Sequence, residues 1–581
     1  MSISEEQDGV RLQEQFTFFT KPKIQCRVTL TQSYVEVENL TTKVLERINA
    51  GDIIGCHCMR PKGAPGGPSP AAGSGDRAAA EFRGTQVREL DAYICIYAYT
   101  CKRRGDGAGV HIKRRAHIFR VGKKPTYEAN LRLAAFWRTL VLCVARGVAI
   151  TKPALAQAAH VADLIPPVKK LLILINPCSG QGYAQQVFGQ RVLPILSESD
   201  APHEVVVTSR AGEARQLAAE ADLSQWSAVV IVSGDGLLYE VYNGILSRAD
   251  WHRWVDFPVA LVPAGSGNGM AASVAHASNL LPAFMQNPVL TASLALAKRL
   301  QLQVDLMMVR TQTEELVGFL SLGWGLLADI DIESERLRVL GGARFTVWAA
   351  ARLLTLKTYR GKVFYLPGER TGARTEERRI ERPRLERAIT IESGSSSAGG
   401  RRRPVSEGAP TTPASERDVF TELMLDQVPP PAESDPGRRR LSSADAEPAV
   451  ARHQFPPLDQ PPPDDWACIQ GEFVLVYGSL PSHISGDMHL NPGAELSDGL
   501  LHLHIIRAGV TRSQVLRYLL GLADGQHTEL PFVERIAVRA VRLVPETAGG
   551  YITLDGEVVQ YGPVQAEVRR GLGRVLCPRL P

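Results

Sequence analysis

The segment Ala228–Gly244, with the sequence AVVIVSGDGLLYEVYNG, constrains the fold of this chain more than any other. Its valines and isoleucine form a short apolar run typical of a buried strand, which ends at Ser233-Gly234-Asp235-Gly236 before a helical pattern begins at Leu237. One carboxylate is therefore predicted at the carboxyl end of a strand. Ligands bind at this position in open α/β sheets, and the flanking glycines let an anionic ligand approach the backbone.

Size and charge narrow the class of protein. A chain of 581 residues, of which 44% are hydrophobic, can bury more than one core, so we expect several domains. The 66 basic and 61 acidic residues leave a net charge of only +5. This balance argues against a dedicated nucleic-acid-binding protein, but it is compatible with local attraction to anionic lipid.

The lack of a secretory signal or membrane span and the pattern of the cysteines predict a cytoplasmic location. The start of the chain, MSISEEQDGV, lacks the basic and apolar regions of a secretory signal, and no apolar run approaches the roughly 18 residues of a membrane span. The nine cysteines are scattered, odd in number and without paired CxxC spacing. We expect reduced thiols, neither a zinc site nor a disulfide framework, in a soluble protein.

The first predicted domain covers residues 20–150. Short β-type runs are followed by a helical pattern over 127–147, an order that favours a pleckstrin-homology-like module. An unrelated small β-domain is the alternative. Residues 61–80, rich in Pro, Gly, Ala and Ser, are expected to form a loop within it.

The rest of the chain divides into three predicted parts. Strand, glycine turn and helix alternate over residues 165–308, which predicts a nucleotide-binding α/β domain with a parallel sheet. Runs with period two over 309–367 and 466–581 predict an antiparallel β-sandwich or barrel. Residues 368–465, rich in Arg, Glu, Pro and Ser, are expected to be a disordered insertion, with two RRRxxS-like stretches that resemble phosphorylation sites.

Three glycine-rich turns follow successive predicted parallel strands, at 176–182, 233–236 and 265–268. Backbone N–H groups at the start of a helix can bind phosphate, and the carboxyl ends of parallel strands share one edge of the sheet. No GK[ST] ends the first turn, so it is not a Walker A loop, and the positive charge must come from elsewhere. The three turns together predict a phosphate-binding edge.

These motifs resemble a known family. SGDGLLYEVYNG, the preceding NPxSGxG turn and the following PAGSGN look like the catalytic domain shared by diacylglycerol and sphingoid-base kinases. The run LSLGWGLLADIDIESERLRVLGGAR and the later LDGEVV narrow the resemblance to sphingosine kinases. It covers roughly residues 165–366 and 466–578. The N-terminal region resembles the extension of the longer animal members.

The resemblance implies a role for Asp235 as the general base that takes the proton from the lipid's primary hydroxyl. With an ordinary pKa near 4 it would be a weak base, so positioning would matter more than basicity. The implied substrates are ATP and a sphingoid base, sphingosine or dihydrosphingosine. Magnesium is expected as a cofactor, with protein ligands that no sequence pattern identifies.

The resemblance also implies the remaining site residues. Arg338 and Arg344 match two arginines that reach the ATP phosphates, and Asp331 matches the carboxylate that binds the ammonium group of the sphingoid base. The other implied nucleotide contacts are Asn176, Pro177, Cys178, Thr208, Ser209, Arg210, Ala211, Gly212, Glu240, Gly265, Ser266, Gly267, Asp555, Gly556 and Glu557. The other implied substrate contacts are Ser233, Gly234 and Gly236. Candidates for contact with the lipid tail are Leu320, Leu322, Trp324, Leu326, Leu327 and Leu353, each of which is also an ordinary core residue.

A basic segment at Arg344–Lys362 with Trp348 and several leucines is typical of a calmodulin target or a membrane-surface helix. The resemblance favours calmodulin or a related calcium-binding protein, and a folded structural helix is the rival interpretation. Because the lipid substrate lies in a bilayer, we expect reversible membrane association. The alternative functions are a ceramide or diacylglycerol kinase and a catalytically idle membrane or calmodulin adaptor.

Overall fold

The structure is a computed structural model of the chain. It describes residues 2–6, 9–20, 23–59, 90–103, 110–151, 164–165, 167–265, 267–334, 343–368 and 453–579. Both stretches that resemble phosphorylation sites lie outside these ranges. Within the described ranges, no helix is long and apolar enough to cross a membrane. All nine cysteines are free, as predicted.

The N-terminal region forms one antiparallel sheet covered by a helix. The strands are β1 (Ser2–Glu6), β2 (Gly9–Phe18), β3 (Gln25–Leu30), β4 (Tyr34–Asn39), β5 (Leu45–Asn49), β6 (Ile53–Met59), β7 (Ala92–Arg103) and β8 (Val110–Val121). They follow the order β5-β4-β3-β2-β8-β7-β6, with β1 paired to β2. Helix α1 (Tyr127–Ala145) begins at the N-cap Thr126. Its buried Trp137 packs edge-on against Phe16, 5.4 Å between ring centroids, so helix and sheet share one core.

The central region is a parallel α/β unit, as predicted. Four parallel strands follow the order β10-β9-β11-β12. The valine, leucine and isoleucine runs of β9, β11 and β12 are buried on both faces because helices cover both sides, whereas the edge strand β10 is partly exposed. The strands are β9 (Lys170–Ile175), β10 (His203–Val207), β11 (Trp226–Ser233) and β12 (Val259–Pro263). The helices are α2 (Ala184–Val187), a π-helical turn (Phe188–Val192), α3 (Leu193–Glu198), α4 (Glu213–Glu220), α5 (Asp235–Leu246), α6 (Gly269–Ala277), α7 (Leu281–Gln286) and α8 (Pro288–Lys298).

The C-terminal region is antiparallel and joins the same sheet. Its strands are β13 (Leu300–Arg310), β14 (Glu315–Gly318), β15 (Ser321–Gly325), β16 (Tyr359–Pro367), β17 (Ala467–Ser479), β18 (Leu501–Arg507), β19 (Glu534–Pro545), β20 (Ile552–Leu554), β21 (Glu557–Val559) and β22 (Val564–Cys577). Its helices are α9 (Leu326–Ser334), α10 (Ala343–Leu354) and α11 (Arg512–Gly521). Strand β22 pairs with β12 at Val259 and Val575 and runs antiparallel to β13. The boundary predicted at residue 308 falls inside β13, the strand through which the two regions share one sheet.

The disordered insertion predicted over 368–465 extends too far toward the C-terminus. Residues 453–465 have no regular secondary structure, but they pack on the sheet. The buried Arg542 guanidinium donates to the carbonyl oxygens of Gln460 (2.6 Å) and Pro456 (3.1 Å), and Gln454 N donates to Glu567 Oε2 (2.6 Å). The polar, proline-rich composition hid this contact, because the hydrogen-bonding partners lie about a hundred residues away.

The N-terminal sheet docks at the amino-terminal edge of the parallel sheet. Glu198, at the end of α3, accepts hydrogen bonds from Tyr99 Oη and Arg114 Nε, each at 2.7 Å. Asp200, in the turn before β10, accepts from Arg138 Nη2 at 2.7 Å. Since α3 and β10 belong to the α/β unit, these ion pairs join the two regions.

Candidate active site

The three glycine-rich turns meet at the carboxyl edge of the parallel sheet. Ser233 Oγ donates to Ser179 Oγ at 3.1 Å, and Ala264 N donates to the Ser233 carbonyl at 2.9 Å. A Cβ atom built on Gly265 would lie 2.7 Å from the backbone N of Gly234, closer than real Cβ contacts. The glycines are therefore needed for backbone to approach backbone, and the edge carries few side chains in front of it.

Asp235 is the first residue of α5, directly after this edge. Its side chain is buried, and Oδ2 accepts from Gly269 N at 2.7 Å while Oδ1 accepts from Met270 N at 3.3 Å. The carboxylate thus caps the start of α6. Burial raises the pKa of Asp235 to about 6, against the two hydrogen bonds that lower it. The sequence-based assumption of an ordinary pKa near 4 is wrong, because it ignored desolvation.

Asp555 is as buried as Asp235, and its carboxylate is held by backbone groups. Its carboxylate accepts from the backbone N–H groups of Phe319 (2.9 Å), Leu320 (2.8 Å) and Ser321 (2.8 Å), so both of its oxygens are used within the protein. Burial raises the pKa of Asp555 to about 7, and the nearby charge of Asp235 acts in the same direction. Asp555 thus holds the chain in place where it enters β15.

The other residues of the C-terminal motif lie against the predicted site. A Cβ atom on Gly556, whose φ is +86°, would lie 3.2 Å from Asp331 Oδ2. A Cβ atom on Gly236 would lie 2.9 Å from Glu557 Oε1. Residues 556–557 therefore contact both the loop that carries Asp235 and the half-buried Asp331 of α9. These contacts bring the two predicted carboxylates to the same part of the molecule.

Tyr477 is a site residue that the sequence analysis missed. It lies fully buried on β17, and its Oη donates to Ser321 Oγ at 2.9 Å. Burial raises the pKa of Tyr477, and the charges of Asp331, Asp555 and Asp235 raise it further. The charges of all three carboxylates therefore act on the one phenol of Tyr477. Its sequence signal is weak, since a tyrosine that ends the aliphatic run FVLV is also an ordinary strand residue.

The predicted nucleotide loop at 208–212 is largely closed on itself. Ser209 donates from both its backbone N and its Oγ to Glu213 Oε2, at 2.5 and 2.8 Å, so the first residue of α4 holds the loop that precedes this helix. Gly212 has a φ of +76°, which favours glycine.

Glu240 has one buried carboxylate oxygen, Oε2, without a hydrogen-bond partner among the described residues. Glu240 therefore has unused hydrogen-bonding capacity within the described part of the chain.

The first glycine-rich turn, at 176–182, lies mostly exposed at the surface. Cys178 is exposed, and its backbone N donates to Asn176 Oδ1 at 2.9 Å, which fixes the turn.

Ser266, Arg338 and the side chain of Arg344 lie outside what the structure describes. The described residues form no group of three or more His, Cys, Asp or Glu side chains that could hold a metal ion.

The tail candidates separate into different cores. Leu320 packs in the core of the α/β unit, whereas Leu322 and Trp324 lie inside the antiparallel sandwich. Leu326, with Leu327 and Leu353 at its edge, belongs to a third group, the helix-side cluster. The buried members of this cluster are Leu326, Ile330, Val474, Leu475, Tyr477, Leu490, Ile506, Val515, Tyr518, Leu522 and Val533. It contains Tyr477, so this cluster extends to the carboxylates.

The basic segment at 344–362 is not one helix. Helix α10 ends at Leu354, and residues from Tyr359 onward form β16. Trp348 Nε1 donates to Glu333 Oε2 of α9 at 2.7 Å, and the buried Arg352 also pairs with Glu333. The inner face of α10 is thus packed against α9, as the structural-helix interpretation predicts.

Comparison with known proteins identifies the family. Residues 170–309 match the diacylglycerol kinase catalytic domain, and residues 470–577 match the YegS C-terminal NAD kinase beta sandwich-like domain. Sphingosine kinase 1 of Homo sapiens is 32% identical over 70% of this chain and 90% of its own length. Sphingosine kinase 1 of Caenorhabditis elegans is 32% identical over 67% of this chain and 77% of its own length.

A crystal structure of a diacylglycerol kinase from Bacillus anthracis aligns over 71% of this chain and 98% of its own, with a TM-score of 0.40 at 14% identity, too distant a likeness to support an argument. Sphingosine kinase 2 of Homo sapiens is 34% identical over 559 residues, which cover 86% of this chain and 84% of that protein. Because a relative of this similarity is matched along most of its length, the chain belongs to the sphingosine kinase family, within the superfamily that shares the diacylglycerol kinase catalytic domain.

Proposed function

We propose that this chain is an ATP-dependent lipid kinase that phosphorylates the primary hydroxyl of sphingosine and dihydrosphingosine to give the 1-phosphate. The observation that carries the proposal is the position of Asp235, whose carboxylate lies where the glycine turns meet and whose pKa burial raises to about 6. Membership in the sphingosine kinase family supports the same reaction.

Asp235 is proposed as the general base. A carboxylate offers about four lone-pair positions, and the two backbone N–H groups use two, so the lipid hydroxyl can bind at a free one. The hydroxyl oxygen attacks the γ-phosphorus of ATP as the bond to the β–γ bridging oxygen breaks, and the proton passes to Asp235. Proton removal is late in such a loose transition state, and a pKa near 6 suits a base at neutral pH.

Asp331 is proposed to bind the ammonium group of the substrate. A charge-assisted hydrogen bond to a carboxylate favours a free amine over ceramide, whose amide nitrogen carries no charge. The closeness of Asp331 Oδ2 to Gly556 supports this role, because Gly556 and Glu557 connect it to the loop of Asp235. The helix-side cluster, which begins at the same helix α9, is proposed to hold the lipid tail.

The glycine turns are proposed to bind the ATP phosphates through backbone N–H groups, with Glu240 on the nucleotide side. Arg338 and Arg344 are proposed to balance the phosphate charge. Asp555 and Ser209 hold the backbone through the hydrogen bonds described above, and they are proposed to line the nucleotide side of the site. Magnesium would be held mainly by the nucleotide phosphates, because the described residues assemble no metal cluster, and no step is assigned to it.

A radiolabelled ATP assay that offers sphingosine, ceramide and diacylglycerol to the full chain tests the proposal. Rapid transfer to sphingosine, with little to the other two, is the expected result. Preferential labelling of ceramide or diacylglycerol would assign the chain to the related lipid kinases. No transfer to any lipid, with the fold intact, would favour the idle adaptor.

Other properties belong to the same proposal. The N-terminal antiparallel sheet with α1 is proposed to act as a pleckstrin-homology-like module that would assist reversible membrane association from the cytoplasm. Calmodulin binding to 344–362 would require α10 to leave Glu333, and Leu354 is the exposed apolar residue at its end. A disordered insertion with phosphorylation sites remains a proposal for residues 369–452, the part of the predicted range 368–465 that lies outside the described residues.

A further inference from the structure

A second candidate site lies at the amino-terminal edge of the parallel sheet. A cavity of about 360 Å³ is lined there by three basic side chains, Arg146, Lys169 and Arg299. Arg146 follows α1, Lys169 precedes β9, and Arg299 lies between α8 and β13. The glycine turns follow the opposite ends of β9 and β11, so this basic cavity is separate from the proposed kinase site.

Arg299 is the most constrained of the three. Its backbone has a φ of +53°, and its Nη1 donates to the Lys169 carbonyl at 2.7 Å and to Ser227 Oγ at 2.8 Å. Its Nη2 is buried and has no hydrogen-bond partner among the described residues. The guanidinium is therefore held on one side and has unused donors on the other, a costly arrangement unless a ligand or solvent satisfies them.

The positive charges around the cavity are compensated only in part. Burial and the charge of Arg138 lower the pKa of Arg146, and the charge of Asp200 opposes them without outweighing them. No described carboxylate forms an ion pair with Arg146, Lys169 or Arg299, and the nearby Asp200 is already bound by Arg138 at 2.7 Å. Lys169 Nζ donates to the Ser224 carbonyl, which carries no net charge. Burial, together with the charge of Arg146, lowers the pKa of Arg299 to about 10. These observations indicate mutual repulsion that an anion would relieve.

We propose that the basic cavity binds a phosphate group. Two guanidinium groups and an ammonium group suit a tetrahedral dianion, and Ser227 and Gln301 add neutral polar groups to the lining. The volume admits a phosphate monoester with part of its organic group, against the apolar part of the wall. The proposal does not depend on the kinase activity.

Titration calorimetry with inorganic phosphate on the full chain tests the proposal. Ionic strength is held constant with chloride, and a non-hydrolysable ATP analogue is present at saturation so that the proposed nucleotide site is occupied. We expect saturable binding that Arg146→Gln and Lys169→Gln each weaken about tenfold, as the loss of one charge-assisted hydrogen bond implies. Both side chains are exposed, so the variants should fold, and thermal unfolding checks this.

Arg253→Gln is the matched control, because it removes one positive charge from an exposed position of the same α/β unit. It should bind phosphate like the wild type. The proposal is overturned if the wild type shows no saturable binding, if neither cavity variant weakens it, or if Arg253→Gln weakens it equally.

Vesicles distinguish the two sources of phosphate. Phosphatidylcholine vesicles with and without a lipid that carries a phosphomonoester headgroup are offered to the wild type and to the Arg146→Gln, Lys169→Gln double variant. Vesicle binding that free phosphate displaces, and that the double variant loses, assigns a lipid headgroup. Phosphate binding without vesicle binding assigns a soluble phosphate ester. Both outcomes support the site.

Discussion

The two edges of the parallel sheet handle negative charge in opposite ways. At the amino-terminal edge, Glu198 pairs with Arg114, and Asp200 pairs with Arg138, each at 2.7 Å. At the carboxyl edge, the buried Asp235 accepts only backbone N–H groups and has no ion pair with a described arginine or lysine. The two carboxylates at the amino-terminal edge are neutralised by arginines of the N-terminal region, whereas the carboxyl edge retains a buried negative charge.

The difference appears in the pKa values. Burial opposes ionisation of Asp200, but hydrogen bonds and charges from His57 and Arg138 outweigh it and lower its pKa. Burial dominates at Asp235 and raises its pKa to about 6. A carboxylate paired with arginine is well suited to joining two regions, whereas one that exchanges a proton near neutral pH is suited to acid–base chemistry.

Asp305 shows that a raised pKa is not sufficient to identify a site. It is buried, accepts from Gly499 N and Gly571 N at 2.6 Å each, and burial raises its pKa to about 6 as well. However, it lies on β13, away from the glycine turns. Location at the carboxyl edge therefore distinguishes Asp235, and Asp305 provides a matched control.

Asp235→Asn is expected to have the largest effect. Loss of the general base should reduce kcat about 1,000-fold. The amide NH2 would also face a backbone N–H, so the free energy of unfolding should fall by about 1–3 kcal/mol. Asp305→Asn should cost similar stability but leave kcat unchanged. Steady-state kinetics, chemical denaturation and nucleotide binding on both purified variants separate the effects.

Equal loss of kcat in both variants would contradict the contrast between the edges, because the effect would then follow from stability alone. Near-normal turnover by Asp235→Asn would remove the base assignment itself.

Asp331→Asn should have the next largest effect. Without its charge, the hydrogen bond to the substrate ammonium weakens, and kcat/KM for sphingosine should fall about 10- to 100-fold. Low activity on neutral lipids should change little, so discrimination falls. Asp256→Asn, at an exposed position of the α/β unit, is the control for general loss of charge. Unchanged discrimination between sphingosine and diacylglycerol would contradict the role of Asp331.

The sequence could predict the position of Asp235 but not its raised pKa. Apolar runs that end in glycine turns specify local geometry, so the parallel strands and the meeting of the turns followed from pattern alone. The pKa of Asp235 depends on burial and on hydrogen bonds from residues distant in sequence, such as Met270, which lies 35 positions away. Tyr477 was missed for the same reason, since its closeness to three carboxylates arises from strand pairing distant in sequence.

The pH dependence of the reaction should sharpen the comparison. Ionised Asp235 is the active form, so kcat/KM should fall about tenfold per pH unit below an apparent pKa between 6 and 7, the range of Asp235 and its coupled neighbour Asp555. The contribution of Asp235 to stability has the opposite sign. Its folded-state pKa is raised, so its contribution is greatest below pH 4 and is lost as the pH rises through 6.

Rate measurements from pH 5 to pH 9, with denaturation at the same pH values, check both signs. A flat rate profile down to pH 5, with the fold intact, would contradict the raised pKa of Asp235.

Gly55→Ala should have the smallest effect on catalysis and probes the opposite edge. A Cβ atom on Gly55 of β6 would lie 1.8 Å from the Glu198 carbonyl oxygen, so β6 and α3 must separate. The free energy of unfolding should fall by about 1–3 kcal/mol, because a backbone contact cannot yield as a side chain can. Gly51→Ala, with no atom within 4 Å of its Cβ, should leave stability nearly unchanged.

If the amino-terminal edge only joins the two regions, kcat of the folded Gly55→Ala protein stays at the wild-type value. A large loss of kcat at temperatures where this variant remains folded would instead mean that docking of the N-terminal sheet reaches the carboxyl edge, and the division of roles between the edges would fail.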